Sequence, residues 1–79
     1  MLENLFDELV KEQEKKVMKT AHLILPNLTA DDLLQPNDFP ALDNHPYFRY
    51  EEGVLEGLRT ARMAYLALQK DQENSAAAK

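Results

Sequence analysis

The 79-residue chain has no cysteine, one serine, two glycines and no run of apolar residues near the roughly 18 that a bilayer crossing demands. Without cysteine, disulfides, thiol nucleophiles and thiolate metal sites are excluded, and the composition suits a reducing compartment. The single serine, Ser75, stands in a polar and alanine-rich tail, and no glycine-rich phosphate loop exists. Basic residues are also short: nine against fourteen acids give a net charge of -5, which argues against nucleic acid, whose phosphates need concentrated lysine and arginine. The N-terminus mixes acids among its leucines and lacks the basic start and apolar run of a secretory signal. A soluble, cytoplasmic chain with no membrane or nucleic-acid partner is the expectation.

Proline is confined rather than scarce. All four, Pro26, Pro36, Pro40 and Pro46, fall within PNLTADDLLQPNDFPALDNHP, so no long helix can cross that stretch. Each flank reads as one long amphipathic helix. The expected fold is all-α: a two-helix antiparallel hairpin with a helix over about 2–25, an ordered connection over 26–45, a helix over about 46–70, and a flexible tail over 71–79. Residues 1–70 then form a single domain, too short to bury a large core unaided, and self-association is a common remedy.

At 100° per residue, Leu2, Leu5, Phe6, Leu9, Val10, Val17, Leu23 and Ile24 share a broad face of the first helix, with Ala21 at its margin. Gln13 and Thr20 interrupt that face, as satisfied core polar groups or as contacts that fix register. Met18, His22 and Leu25 make a short seam on the opposite side. The stripe Lys11, Lys15, Lys19 is diluted by glutamates and reads as a solvated face.

In the connection, Thr29 stands three residues before Asp32, a capping arrangement that predicts one helical turn from Ala30 until Pro36 stops it. Leu28, Leu33, Leu34, Phe39 and Leu42 give the stretch more apolar anchors than a flexible spacer needs. It is expected to fold over one end of the helices, as a lid or as a binding surface. Asp43, Asn44 or His45 can cap the second helix, and Pro46 suits its first position.

The second helix has two apolar faces. A wide one carries Tyr47, Tyr50, Gly53, Val54, Gly57, Leu58, Ala61, Ala64, Tyr65 and Leu68; a narrower one carries Phe48, Leu55 and Leu66. Two faces need two neighbours, and the chain supplies one other long helix. A second copy, closing an antiparallel four-helix bundle, is the expected remainder. Its packing is assigned to Gly53, Gly57 and Ala61, whose spacing of four permits close backbone approach, together with Leu55 and Leu66.

No Glu-x-x-His pair is present for a di-iron site, and no cofactor or metal is expected. The functional expectation is a small non-enzymatic interaction or adaptor protein. It would act as a homodimer and hold another protein through Leu33, Leu34, Phe39, Leu42, Tyr47, Phe48 and Tyr50. The alternative is a ligand-binding or catalytic bundle that uses Asp38, Asp43, His45, Tyr47, Tyr50, Glu51 and Glu52 at the joint end.

Overall fold

A computed structural model describes residues 2–77 and is helical throughout its length apart from the joint. Helix α1 spans Leu2–Ile24, α2 is a single turn over Pro40–Asp43, and α3 spans Pro46–Ala77, with two 3-10 turns at Asp32–Leu34 and Pro36–Asp38. Helices α1 and α3 pack against each other as a hairpin. At 1.5 Å per residue they measure about 35 and about 48 Å, within a longest dimension of 55 Å.

Helix α1 stops where Pro26 removes a donor and restricts Leu25. The Leu25 amide still donates to Ala21 O at 2.7 Å, and the next amide with a partner, Leu28 N–H, donates to Leu25 O at 3.1 Å. His22 then ties the turn down, its Nε2–H donating to Leu28 O at 2.8 Å. Beyond it, Thr29 and Asp32 form a reciprocal capping box: Asp32 N–H donates to Thr29 Oγ1 and Thr29 N–H to Asp32 Oδ2, both at 3.1 Å.

The joint holds three short turns rather than the single one expected. Pro36, Pro40 and Pro46 each open a new helical segment, where a missing N–H costs nothing and a fixed φ is already helical. Proline here starts turns as well as stopping them. At the last of these starts, Phe48 N–H donates to His45 Nδ1 at 3.3 Å, so His45 caps α3.

The core sits at the joint end. Val17 and Ala21 from α1, Leu28 and Leu42 from the joint, and Phe48 and Leu55 from α3 are buried, with Phe48 and Leu42 fully enclosed. Burying side chains of this size stabilises by about 1.5–3 kcal/mol each before chain entropy is counted. The opposite end is held more lightly, by the Phe6 and Tyr65 rings at 5.5 Å and by Arg62 Nε donating to Asp7 Oδ1 at 2.7 Å.

Several sequence expectations change here. The α1-facing side of α3 takes in its narrow face: Leu55 is buried in the hairpin's own core and Leu66 is half-buried. That placement removes Leu55 from the surface a second copy could reach. Most of the wide face is left open, although Val54, Leu58 and Tyr65 are half-buried and Tyr65 meets Phe6 of α1. On α1, Leu2, Leu5, Leu9 and Leu23 are exposed, the last at 78%, while Met18 and Leu25 on the supposed outer seam are half-buried beneath the joint. Helix α3 also runs through residues expected to fray, as far as Ala77, because Ala, Gln, Glu and Lys are good helix formers and nothing there breaks the helix. The remainder of the proposed tail, 78 and 79, lies outside the described residues.

Candidate interaction surfaces

Two contrasting sides result from this packing. Seven residues of α3, Tyr47, Tyr50, Val54, Gly57, Ala61, Ala64 and Leu68, recur at alternating spacings of three and four, the a/d pattern of a helix-pairing seam. None is charged. All are exposed except Val54, which is half-buried, and Tyr50 stands 66% open. On the helical wheels the exposed row Leu2, Leu5, Leu9 of α1 falls on this same side of the plane through the two axes.

Gly53 and Gly57 have helical backbone with no positive φ, and a Cβ placed on either would meet nothing within 4 Å. Neither conformation nor internal packing demands glycine. Each costs about 1 kcal/mol relative to alanine in an exposed helix, so the hairpin alone would be better served by alanine at both.

The other side carries the grooves. One, of about 280 Å³, lies under the joint, with a floor of Val17, Met18, Leu33, Phe48 and Leu55 and a rim of Glu14, Glu52, Glu56 and Arg59. Arg59 braces that rim, lying 3.2 Å from Glu56 and 3.9 Å from Glu14 across the hairpin. A second, more open groove of about 370 Å³ is bordered by Val10, Lys11, Arg62 and Met63.

Of the partner-binding candidates at the joint, Leu42 and Phe48 are fully buried and serve the core, Phe48 lying beneath the floor of the groove. Leu33 and Phe39 are half-buried, whereas Leu34 is 76% exposed at the mouth of the groove. Tyr47 and Tyr50 are exposed but belong to the α3 seam and do not line that groove. The single patch expected from the sequence is thus two surfaces on different sides.

Of the groups in the alternative reading, Glu51, Asp43 and His45 are engaged in local structure, and Glu52 pairs with Arg49 at the rim of the groove. Glu51 is buried and receives Gln13 Nε2 at 2.6 Å on its carboxylate, while the same nitrogen donates to Glu51 O at 2.9 Å. Gln13, the polar break in the α1 face, is therefore a cross-link within one hairpin. Tyr47 sits beside Glu51, whose negative charge, followed by the hydrogen bond between the two side chains and slight desolvation, holds the phenol above its usual value of 10.0. Asp43 pairs with Arg49 at 3.2 Å, Arg49 reaches Glu52 at 3.4 Å, and His45 is spent as a cap. None of Asp43, His45, Tyr47, Tyr50 and Glu51 lines either groove. Among the described residues no group of three or more His, Asp or Glu is placed to hold a metal ion, and no helix is long and apolar enough to cross a membrane.

Sequence reasoning missed the His22 latch and the seven-residue seam. The seam's spacing was readable from the chain, but its significance depended on knowing which face α1 occupies. No family model, curated protein or solved structure matches this chain.

Proposed function

We propose that the chain is a small non-enzymatic interaction protein that works as a homodimeric helical bundle. One observation carries this reading: α3 leaves an uncharged face open to solvent from Tyr47 to Leu68, about six turns long, on a hairpin with six buried apolar residues among those described. Monomers seldom leave so continuous an apolar surface uncovered, and a chain of this length gains most from burying it against another. A dimer closed across that face leaves the joint grooves on its outside. Leu34 and the acidic rim would then be displayed twice, an arrangement suited to bivalent attachment to another protein.

Sedimentation equilibrium and light scattering over a wide concentration range test the assembly. The chain should run at about twice its 9.1 kDa mass, and Ala61→Glu, which keeps a good helix former but places a charge on the open face, should run as a folded monomer. A single species of monomer mass at high micromolar concentration would overturn the reading.

A further inference from the structure

The net charge of -5 is not spread over the molecule. Between Lys19 and Arg49 the chain holds no lysine or arginine, while Asp31, Asp32, Asp38 and Asp43 all lie in the joint. The rim of the groove beneath it adds Glu14, Glu52 and Glu56. Arg49 pairs with Asp43 and Glu52, and Arg59 with Glu14 and Glu56. In the rest of the chain acids and bases are equal in number, so the whole imbalance belongs to the joint and its groove. Asp31 and Asp38 are exposed, and among the described residues neither is in an ion pair.

We infer that this groove seats a basic amphipathic helix of another protein, which sets large apolar side chains between α1 and α3 and lysines or arginines against the surrounding acids. It rests on the interaction-protein reading above and names the partner's chemistry; the dimer is not required for it.

Shape selects a helix. On α1 the lining residues are Glu14, Val17 and Met18, and on α3 they are Phe48, Glu52, Leu55, Glu56 and Arg59, one stripe of each helix. The groove therefore follows α3 for about 16 Å at 1.5 Å per residue. A trough between two antiparallel helices is where a third packs in a bundle, and helix-in-groove recognition uses the same seat. At about 280 Å³ it is smaller than the pockets that enclose a small molecule, which run to roughly 300–1,000 Å³. It suits the side chains of a longer partner.

The surface available to such a partner is apolar at its centre. Met18 and Leu33 are half-buried, and Leu34 at the mouth is 76% exposed, above a floor that belongs to the core. Met18 is unbranched and adapts to an incoming side chain. Charge then decides which helix is accepted. Glu52 and Glu56 stand one turn apart on the rim, so lysines at that spacing on an incoming helix meet an acid each, whereas an acidic helix of the same shape meets repulsion.

Fluorescence anisotropy with labelled helical peptides tests this on the full chain. The probe carries two leucines one turn apart with lysines on both flanks; one control has glutamate for every lysine, and another keeps the composition with the leucines off a common face. The lysine peptide should bind, and both controls should bind about tenfold more weakly, the gap to the glutamate peptide narrowing as salt is raised. Leu34→Ser changes an exposed position and should weaken the lysine peptide about tenfold at every salt concentration. The Glu52→Gln/Glu56→Gln pair should weaken it chiefly at low salt, and Ala61→Glu, on the other side of the hairpin, should leave it unchanged. Circular dichroism checks that each variant is folded. Equal binding of the lysine and glutamate peptides, binding that survives Leu34→Ser or is lost in Ala61→Glu, or no binding at all overturns the inference. A fall in sedimentation mass on Leu34→Ser would give the groove to a second copy of the chain and overturn it equally. The homodimer is judged apart from this: a monomer by light scattering removes the dimer and leaves the groove, whereas a dimer that binds none of the peptides removes the groove and leaves the dimer.

Discussion

The Gln13–Glu51 contact allows a quantitative test of how the two helices are held in register. Gln13→Leu removes the donor 2.6 Å from Glu51 Oε2 and leaves a buried carboxylate with Tyr47 as its remaining side-chain partner. A hydrogen bond to a charged group contributes about 1.5–3 kcal/mol, and the stranded group bears the full desolvation cost, so a loss of about 2 kcal/mol is expected. For a domain of this size that lowers Tm by about 10 °C. Glu51→Leu is milder. It removes the charge, while Gln13 Nε2 keeps the backbone carbonyl of residue 51 at 2.9 Å; the chief loss is a favourable acid near the start of α3, under about 1 kcal/mol. In the double variant no charge is stranded, and two apolar side chains face each other across the hairpin. Its cost should be close to that of Glu51→Leu alone, giving a coupling energy of about 2 kcal/mol. The cycle is measured by urea unfolding in the Ala61→Glu background, so that self-association does not enter the stability. Simple additivity of the two single changes, or an unaffected Gln13→Leu variant, would refute the reasoning.

Phe48→Ala empties the centre of the core and should cost about 3–5 kcal/mol, comparable with the whole stability of a chain this short, so far-ultraviolet melting should lose its cooperative transition. Tyr47 gives a pH signature: with the Tyr50→Phe and Tyr65→Phe changes isolating its absorbance, its titration should lie above pH 10 in the folded chain and fall toward 10 in Glu51→Gln. Because the folded phenol is held above its unfolded value, whatever stability the pair contributes is complete below about pH 10 and disappears as pH rises through the folded value.

Local signals in the sequence translated well into structure. Pro26 ended α1, Pro46 opened α3, and the Thr29/Asp32 spacing became a capping box, because each depends on residues a few positions apart. Assignment of faces did not follow so simply. The wide face of α3 holds more apolar residues than the narrow one, and counting suggests that it should be buried first. The side of α3 that meets α1 runs between the two faces, taking Phe48, Leu55 and Leu66 from the narrow one and Leu58 and Tyr65 from the wide one, and it leaves out the glycines and alanines, which remove the least surface from water. The same lesson applies to α1. Leu25 and Met18 looked peripheral on a wheel, yet three short turns, two of them opened by proline, bring the joint back over that side, and no wheel of a single helix contains the loop that will cover it. For the candidate site, a list of joint aromatics could not show that Phe48 would be consumed by the core while Leu34 remained outside.

Where the core lies has a consequence for how assembly and folding are linked. Among the described residues the six buried apolar side chains fall between Val17 and Leu55, and none of them comes from the first two-thirds of α1 or the last two-thirds of α3. Beyond them the helices are joined by a ring contact and by two half-exposed ion pairs, Glu14–Arg59 at 3.9 Å and Asp7–Arg62 at 2.7 Å, each of which contributes less than about 1 kcal/mol. That open end is the part of the hairpin with least to hold it against local opening. It is also where the row Leu2, Leu5, Leu9 meets the seam of Ala61, Ala64 and Leu68. In the proposed dimer, a second copy seated there would cover the surface that the joint-centred core leaves in water, and its binding energy would fall on the weakest section of the fold. The joint end needs no such help: Leu28, Leu42 and Phe48 already close it, and its outer groove lies on the side of the hairpin away from the open face of α3.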